Sequence, residues 1–153
     1  MRTGAGGRSK PGFRSAHATI GIFKIHVGHA EETESHVLEA LRLSPRDSLA
    51  SYWFMFVGIS KMLLGQNDKA VGWLRQSIES NRNNPVSHFH LAAALALLGL
   101  DEDARSAARN GLALNPQFTI ARYEDAWRFQ NFADSSGRQA ILEGLRKAGV
   151  PER

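Results

Sequence analysis

The 153-residue chain has no cysteine, only five prolines and no apolar run long enough to cross a bilayer. Without cysteine there is no disulfide framework, no thiolate zinc site, no iron–sulfur cluster and no cysteine nucleophile. The two most apolar stretches, Tyr52 to Leu64 and Leu91 to Leu100, are shorter than the roughly 20 residues a spanning helix needs, and the first contains Lys61. Basic residues precede a mildly apolar run from Ala18 to Val27, but Lys24 interrupts it and no small-x-small pattern closes it, so no signal peptide is expected and a cytoplasmic location is. Also missing are the phosphate-cradling GxxxxGK[ST] and the G-x-S-x-G nucleophile elbow. No β-branched alternation marks a strand. What is present is an ordinary composition, 42% hydrophobic and 22% charged, in a length suited to one domain with its own core.

The formal charge of +4 is unevenly placed. Residues 1–14 hold Arg2, Arg8, Lys10 and Arg14 and no acid; removing those four from the 19 basic residues leaves 15 against 15 acidic ones. A neutral body with a basic tail is a weak case for nucleic-acid binding. The tail itself, residues 1–13, is glycine-rich and aperiodic, and is expected to be disordered because it cannot bury enough surface to offset its ordering entropy.

Self-similarity organises the rest. Gly65 and Gly99 are 34 residues apart, as are Leu64 and Leu98, Ala70 and Ala104, Arg75 and Arg109, and Asn81 and Asn115. A further copy lies upstream at an offset of 71 from the last, pairing His17 with His88, Gly28 with Gly99, Glu31 with Glu102, Leu41 with Leu112 and Pro45 with Pro116. Ser48 to Ala50 is then a three-residue insertion between the first two copies.

Each copy has the pattern of a helical hairpin. First helices are expected at about 15–27, 49–64 and 85–98, each stopped by a glycine, Gly28, Gly65 or Gly99, which tolerates the left-handed conformation of a helix C-terminus. Second helices are expected at about 30–43, 67–80 and 101–114. Asn84 followed by Pro85 suits an N-cap and first turn. Small residues, Gly21, Gly58 and Ala92 on the first helices and Ala70 and Ala104 on the second, fall where the pair would touch. One such hairpin cannot cover its apolar face, so hairpins must stack.

These residues resemble the tetratricopeptide repeat over 14–118, with units at 14–47, 51–84 and 85–118. The resemblance implies an all-α fold, a right-handed α-α superhelix of tetratricopeptide-type hairpins, whose remaining residues 119–153 form a degenerate fourth hairpin and a C-terminal capping helix. Thr33 departs from the small alanine slot, Arg82 from the proline slot, and the early large aromatic is present only as Phe54. The wording of Glu34–Asp47, Asn83–Gly99 and Ile141–Glu152 is also similar to the carboxyl-terminal repeat region of bacterial class III adenylate/guanylate cyclase proteins. That similarity implies a regulatory or scaffolding segment of a signalling protein, without its catalytic part. Ile20, Ile22, Phe23 and Ile25 would leave the first unit's outer side open, so a preceding region or another subunit is expected to cover it.

Catalysis has no positive signal. Asp101-Glu102-Asp103 is the densest acidic cluster, but it falls in the first turn of a helix, where the macrodipole favours it. His88 and His90 are two apart and point to opposite sides of a helix, while His26 and His29 straddle Gly28. No metal, cofactor or enzymatic activity is expected. The working surface expected from the architecture is a concave groove lined by first helices: Tyr52, Met55, Ile59 and Met62 of the second unit, and Phe89, Ala93 and Ala96 of the third. Family members that clamp a peptide carboxylate carry Lys, Arg and Asn here; Ala18, Ile22, Met55, Ile59 and His90 stand in those slots, favouring an apolar helix or extended segment as partner. The same stripe would serve as core if the last helix closed over it. Trp53, Phe54, Val57, Trp73 and Leu74 are assigned to packing.

Overall fold

A computed structural model describes residues 30–127 and 135–153, which are all-helical: a 3₁₀ turn, Ala30–Glu32, then α1 (Thr33–Leu43), α2 (Ala50–Leu63), α3 (Asn67–Ser80), α4 (Pro85–Leu97), α5 (Asp101–Leu114), α6 (Ile120–Trp127) and α7 (Ser135–Lys147). The helix expected at 15–27, its Gly28 stop, the basic tail and Asp134 lie outside the described residues. No strand occurs among the described residues, and no helix there is long and apolar enough to cross a membrane.

The 34-residue period is written into the helix ends. Both bounds of α3 recur in α5 at that offset, and α2 and α4 share their last residue in the same register. Local chemistry explains the coincidence. Gly65 and Gly99 sit at φ of 75° and 80°, where a side chain would be strained. Each closes a Schellman motif: Gly65 N donates to Met62 O and Gln66 N to Lys61 O, and Gly99 N and Leu100 N repeat the pattern on Ala96 O and Leu95 O. Gly149, at φ 87°, ends α7 through the same two bonds, to Arg146 O and Leu145 O. At the other end of α4, Asn84 accepts from Val86 N at 3.2 Å and Pro85 supplies the first turn.

α2 pairs with α3 and α4 with α5, and α3 packs against α4, so two hairpins stack. Within the first hairpin Gly58 lets the helices close up: a Cβ there would lie 2.7 Å from Leu74 Cγ and 3.5 Å from Ala70 O. The equivalent positions in the second hairpin are Ala92, Ala104 and Ala108, all buried, so volume moves from one helix to the other while the interface is kept. A chain of satisfied hydroxyls crosses the first hairpin and runs on to the second. Ser77 Oγ donates to Ser51 O at 2.7 Å, Ser51 Oγ donates to Ser77 O at 3.0 Å, and Ser77 and Ser87 share a hydroxyl contact of 2.7 Å. Asn84 Nδ2 donates to Ser87 Oγ at 3.0 Å. One period later Ser77 becomes Gly111, and the space it vacates holds Phe89, which stacks on Phe118 with centroids 3.7 Å apart.

α1 adds a smaller core of Val37 and Ala40 under Trp53 and Val57, tied across by an ion pair between Lys61 and Glu34. Trp53 Nε1 donates to Asp47, which also caps Leu49 N at 2.8 Å and so organises the turn that carries the insertion. At the C-terminal end, α7 does not run beside α6 as the second helix of a fourth hairpin would. Its main neighbour is α4, and it also reaches α2. Two glycines explain the choice: a Cβ at Gly144 would lie 2.6 Å from Ala93 O, and one at Gly137 would lie 2.8 Å from Leu63 O. α7 therefore rests with its backbone directly on the backbones of α4 and α2. The residues after it return to α6, where Ile120 N donates to Pro151 O at 2.8 Å and Ala121 N to Glu152 O at 2.9 Å. Those bonds occupy donors that the start of a helix leaves without partners.

Candidate functional site

On the face of α2 and α4 expected to line a groove lies α7. Of the six residues singled out as a partner-binding surface, Met55, Ile59, Met62, Phe89 and Ala93 are at most 5% exposed, and only Tyr52 is open, at 42%. Ala96 is buried too. This corrects the expectation of an accessible groove through these residues, and two physical reasons account for it. Met55 and Phe89 turn between the hairpins: Met55 Sδ accepts from Asn84 Nδ2 at 3.5 Å, and Phe89 fills the space beside Gly111 against Phe118. Ile59 and Ala93 instead face the last helix, Ala93 beneath Gly144 and Ile59 in a common small cavity with Ile141. The residues assigned to packing behave more simply. Val57 and Leu74 are fully buried, Trp53 is 8% exposed, and Phe54 stacks beside Trp73 with centroids 6.0 Å apart.

Where α4, α6 and α7 meet, an aromatic and polar cluster closes the site. His90 is 1% exposed and places its ring 5.4 Å from that of Tyr123 and 6.5 Å from that of Trp127. Its Nδ1 is 2.9 Å from Val86 O and its Nε2 is 3.0 Å from Tyr123 Oη. A carbonyl only accepts, so Nδ1 carries the proton and Tyr123 donates to Nε2. The imidazole is thus neutral with both nitrogens satisfied. Burial lowers its pKa from the ordinary 6.5 to about 4, against the opposing pull of the Val86 carbonyl. The Tyr123 phenol is pushed upward, also chiefly by burial. This pair is shaped for an interhelix clasp; an imidazole that stays neutral on a satisfied tautomer has no free nitrogen for proton transfer or a metal.

His88 Nε2 donates to Arg82 O, 3.0 Å away, on the other side of α4, as the spacing of the two histidines requires. No group of three or more potential metal ligands gathers among the described residues. The cavity bounded by Ile59, Leu63, Tyr123, Trp127, Arg138 and Ile141 measures about 10 Å³, room for one water-sized guest. Arg138 Nη2 reaches Glu124 O at 3.4 Å from its rim.

Two features escaped the sequence pattern. Neither the clasp between His90 and Tyr123 nor the seat of α7 follows from the 34-residue period, because both involve the segment after the last full repeat. A signal for the seat was nonetheless present: Gly137, Ile141, Gly144 and Ala148 recur at four, three and four, a small-residue stripe along one helical face. Among the described residues the large apolar side chains that remain accessible are Tyr52 and Leu49 at the start of α2, Leu38 on α1, Leu64, Leu98 and Leu100 at the hairpin turns, and Leu114 at the end of α5.

The chain matches no protein-family model and no curated protein.

Proposed function

We propose that the chain is a tetratricopeptide-type helical-repeat scaffold, its hairpins following one another in a right-handed superhelix, that binds protein and has no chemistry of its own. The observation that carries this reading is the recurrence of α3 in α5, bound for bound, with Schellman glycines at the same offset. A chain built of one repeated unit presents one repeated surface, which suits an extended polypeptide better than a small molecule. The similarity of its wording to cyclase repeat regions supports reading this scaffold as a regulatory segment of a signalling protein.

The exposed entry to the α2 face, Tyr52 and Leu49, is where a partner would first make contact. Tyrosine is enriched among the residues that anchor protein interfaces once a partner buries it. The test is retention of proteins by the immobilised full chain, with a Tyr52→Glu, Leu49→Glu double variant alongside. Both side chains are more than a third exposed, so the helical signal should be unchanged. The wild-type chain should hold a defined protein set that the variant loses. An identical set on both, or an empty set on the wild type, removes the reading.

A further inference from the structure

We infer that the α2 and α4 face is a helix-binding cleft whose resident occupant is α7, and that this cleft accepts in trans an amphipathic helix carrying α7's own stripe of small residues. The inference rests on the scaffold reading and names both the partner class and what regulates access to it.

The cleft records the shape of its ligand. At one end, Leu63 main-chain atoms approach Gly137 so closely that a Cβ would lie 2.8 Å from the oxygen and 3.0 Å from Cα. At the other, Ala93 does the same to Gly144, at 2.6 Å and 3.0 Å. Seven residues separate the two glycines, two helical turns, so both meet the cleft on one face. Between and beyond them Ile141, Leu142, Leu145 and Ala148 are each at most 2% exposed. The outward side carries Glu143, Arg146 and Lys147, all exposed. A fitting ligand is accordingly a short helix with glycine at two positions seven apart, branched apolar residues between them, and a charged back.

The same glycines make α7 a separable occupant. It has 13 residues, a length at which an isolated helix is marginal in water, and each interior glycine lowers its intrinsic helicity further. α7 thus owes its helical form to the cleft, so undocking and unwinding are one event. α3 and α5 differ, because each is joined to its hairpin partner by a tight turn, and α3 is also packed on α4 of the next unit. A ligand in solution competes with an occupant held on the same chain at an effective concentration in the millimolar range, which keeps the cleft closed to weak partners.

The experiment has two arms on the full chain. In the first, hydrogen exchange is followed along the wild-type protein: α7 amides should exchange together through an opening at least about tenfold more populated than that of α3, α4 and α5. In the second, a fluorescent peptide of residues 135–153 is titrated with the wild-type chain, with Gly144→Leu and with Gly137→Leu. Each variant should bind the peptide at least about tenfold more tightly than the wild-type chain, because its own α7 no longer seats. A peptide itself carrying Gly144→Leu should bind none of them. Exchange of α7 only with the whole molecule overturns the inference, as does a folded variant that ignores the peptide. So does global unfolding of both variants, since α7 would then be inseparable from the core. Loss of the scaffold reading would appear separately, in the protein-retention test, which uses residues outside the cleft floor.

Discussion

Gly144→Ala and Gly72→Ala are the same chemical change in two helix interiors, and they should move stability in opposite directions. Replacing an interior helical glycine with alanine ordinarily gains about 0.5–1 kcal/mol by reducing the entropy of the unfolded chain and favouring the helix. Around Gly72, on the exposed side of α3, an added Cβ meets nothing within 4 Å, so that gain is realised in full. At Gly144 the new methyl would lie 2.6 Å from Ala93 O, 3.0 Å from Ala93 Cα and 3.1 Å from Ala93 C. These are main-chain atoms of α4 and have no rotamer to change, so α7 must move outward by several tenths of an ångström. Ile141, Leu142, Leu145 and Ala148, now at most 2% exposed, would all lose contact as it does. Overpacking of this sort costs about 1–3 kcal/mol. Subtracting the helix gain leaves Gly144→Ala less stable by up to about 2.5 kcal/mol, and separates the two variants by the overpacking cost itself, about 1–3 kcal/mol. Urea titration followed by far-UV circular dichroism would place the Gly72→Ala midpoint above wild type and the Gly144→Ala midpoint below it. In thermal scans the expected scale is about 2–4 °C per kcal/mol for a chain of this size. If both variants shift upward by the same amount, the backbone-on-backbone seat of α7 is wrong.

Two further outcomes are expected. Gly65→Ala and Gly99→Ala should each destabilise by about 1–2 kcal/mol, and by equal amounts within error, because both positions combine the same left-handed backbone with open surroundings; unequal losses in matched urea titrations would break the equivalence of the two hairpins. Acid should weaken the fold through His90, whose folded pKa of about 4 lies below the unfolded value of 6.5. Between those values the unfolded chain takes up a proton that the folded chain refuses, so stability falls as pH drops, by about 3 kcal/mol in all, and the term is constant above pH ~6.5. His90→Phe should remove that segment of the pH profile, whatever its cost at neutral pH, and an unchanged slope between pH 6.5 and 4 would show that another group carries it.

The helices were legible from sequence because their ends are set by short-range chemistry. Asn67–Ser80 and Asp101–Leu114 occur where the pattern put them, since a glycine two residues before each start and an asparagine after each finish act within a single turn. Thr33 begins α1 three residues later than expected because Ala30–Glu32 winds as a 3₁₀ turn, a choice between i→i+3 and i→i+4 bonding that residue type barely influences. Gly58 against Ala70 was legible for a related reason: a repeated small residue needs a repeated close approach. The all-helical class follows from these elements together.

The site was legible only as a set of inward-facing residues. Periodicity assigns Ile59, Met62 and Ala93 to one side of their helices, but it is silent on what covers that side, since core and groove demand the same apolar stripe. The answer depends on where a helix more than forty residues away in sequence comes to rest, and two opposed terms decide that. Leaving Ile59 and the facing Ile141 in water would forgo about 1.5–3 kcal/mol apiece. Closing a long loop to cover them costs far less, because loop entropy grows only with the logarithm of its length. α7 is therefore drawn onto the open face unless a partner occupies it first. Its two glycines set how tightly: they bring its backbone onto α4 and α2 while depriving it of the helicity to stand alone. The residues that spoil the helix in isolation are the ones that fit it to the cleft, so one local defect in sequence encodes one long-range contact in the fold.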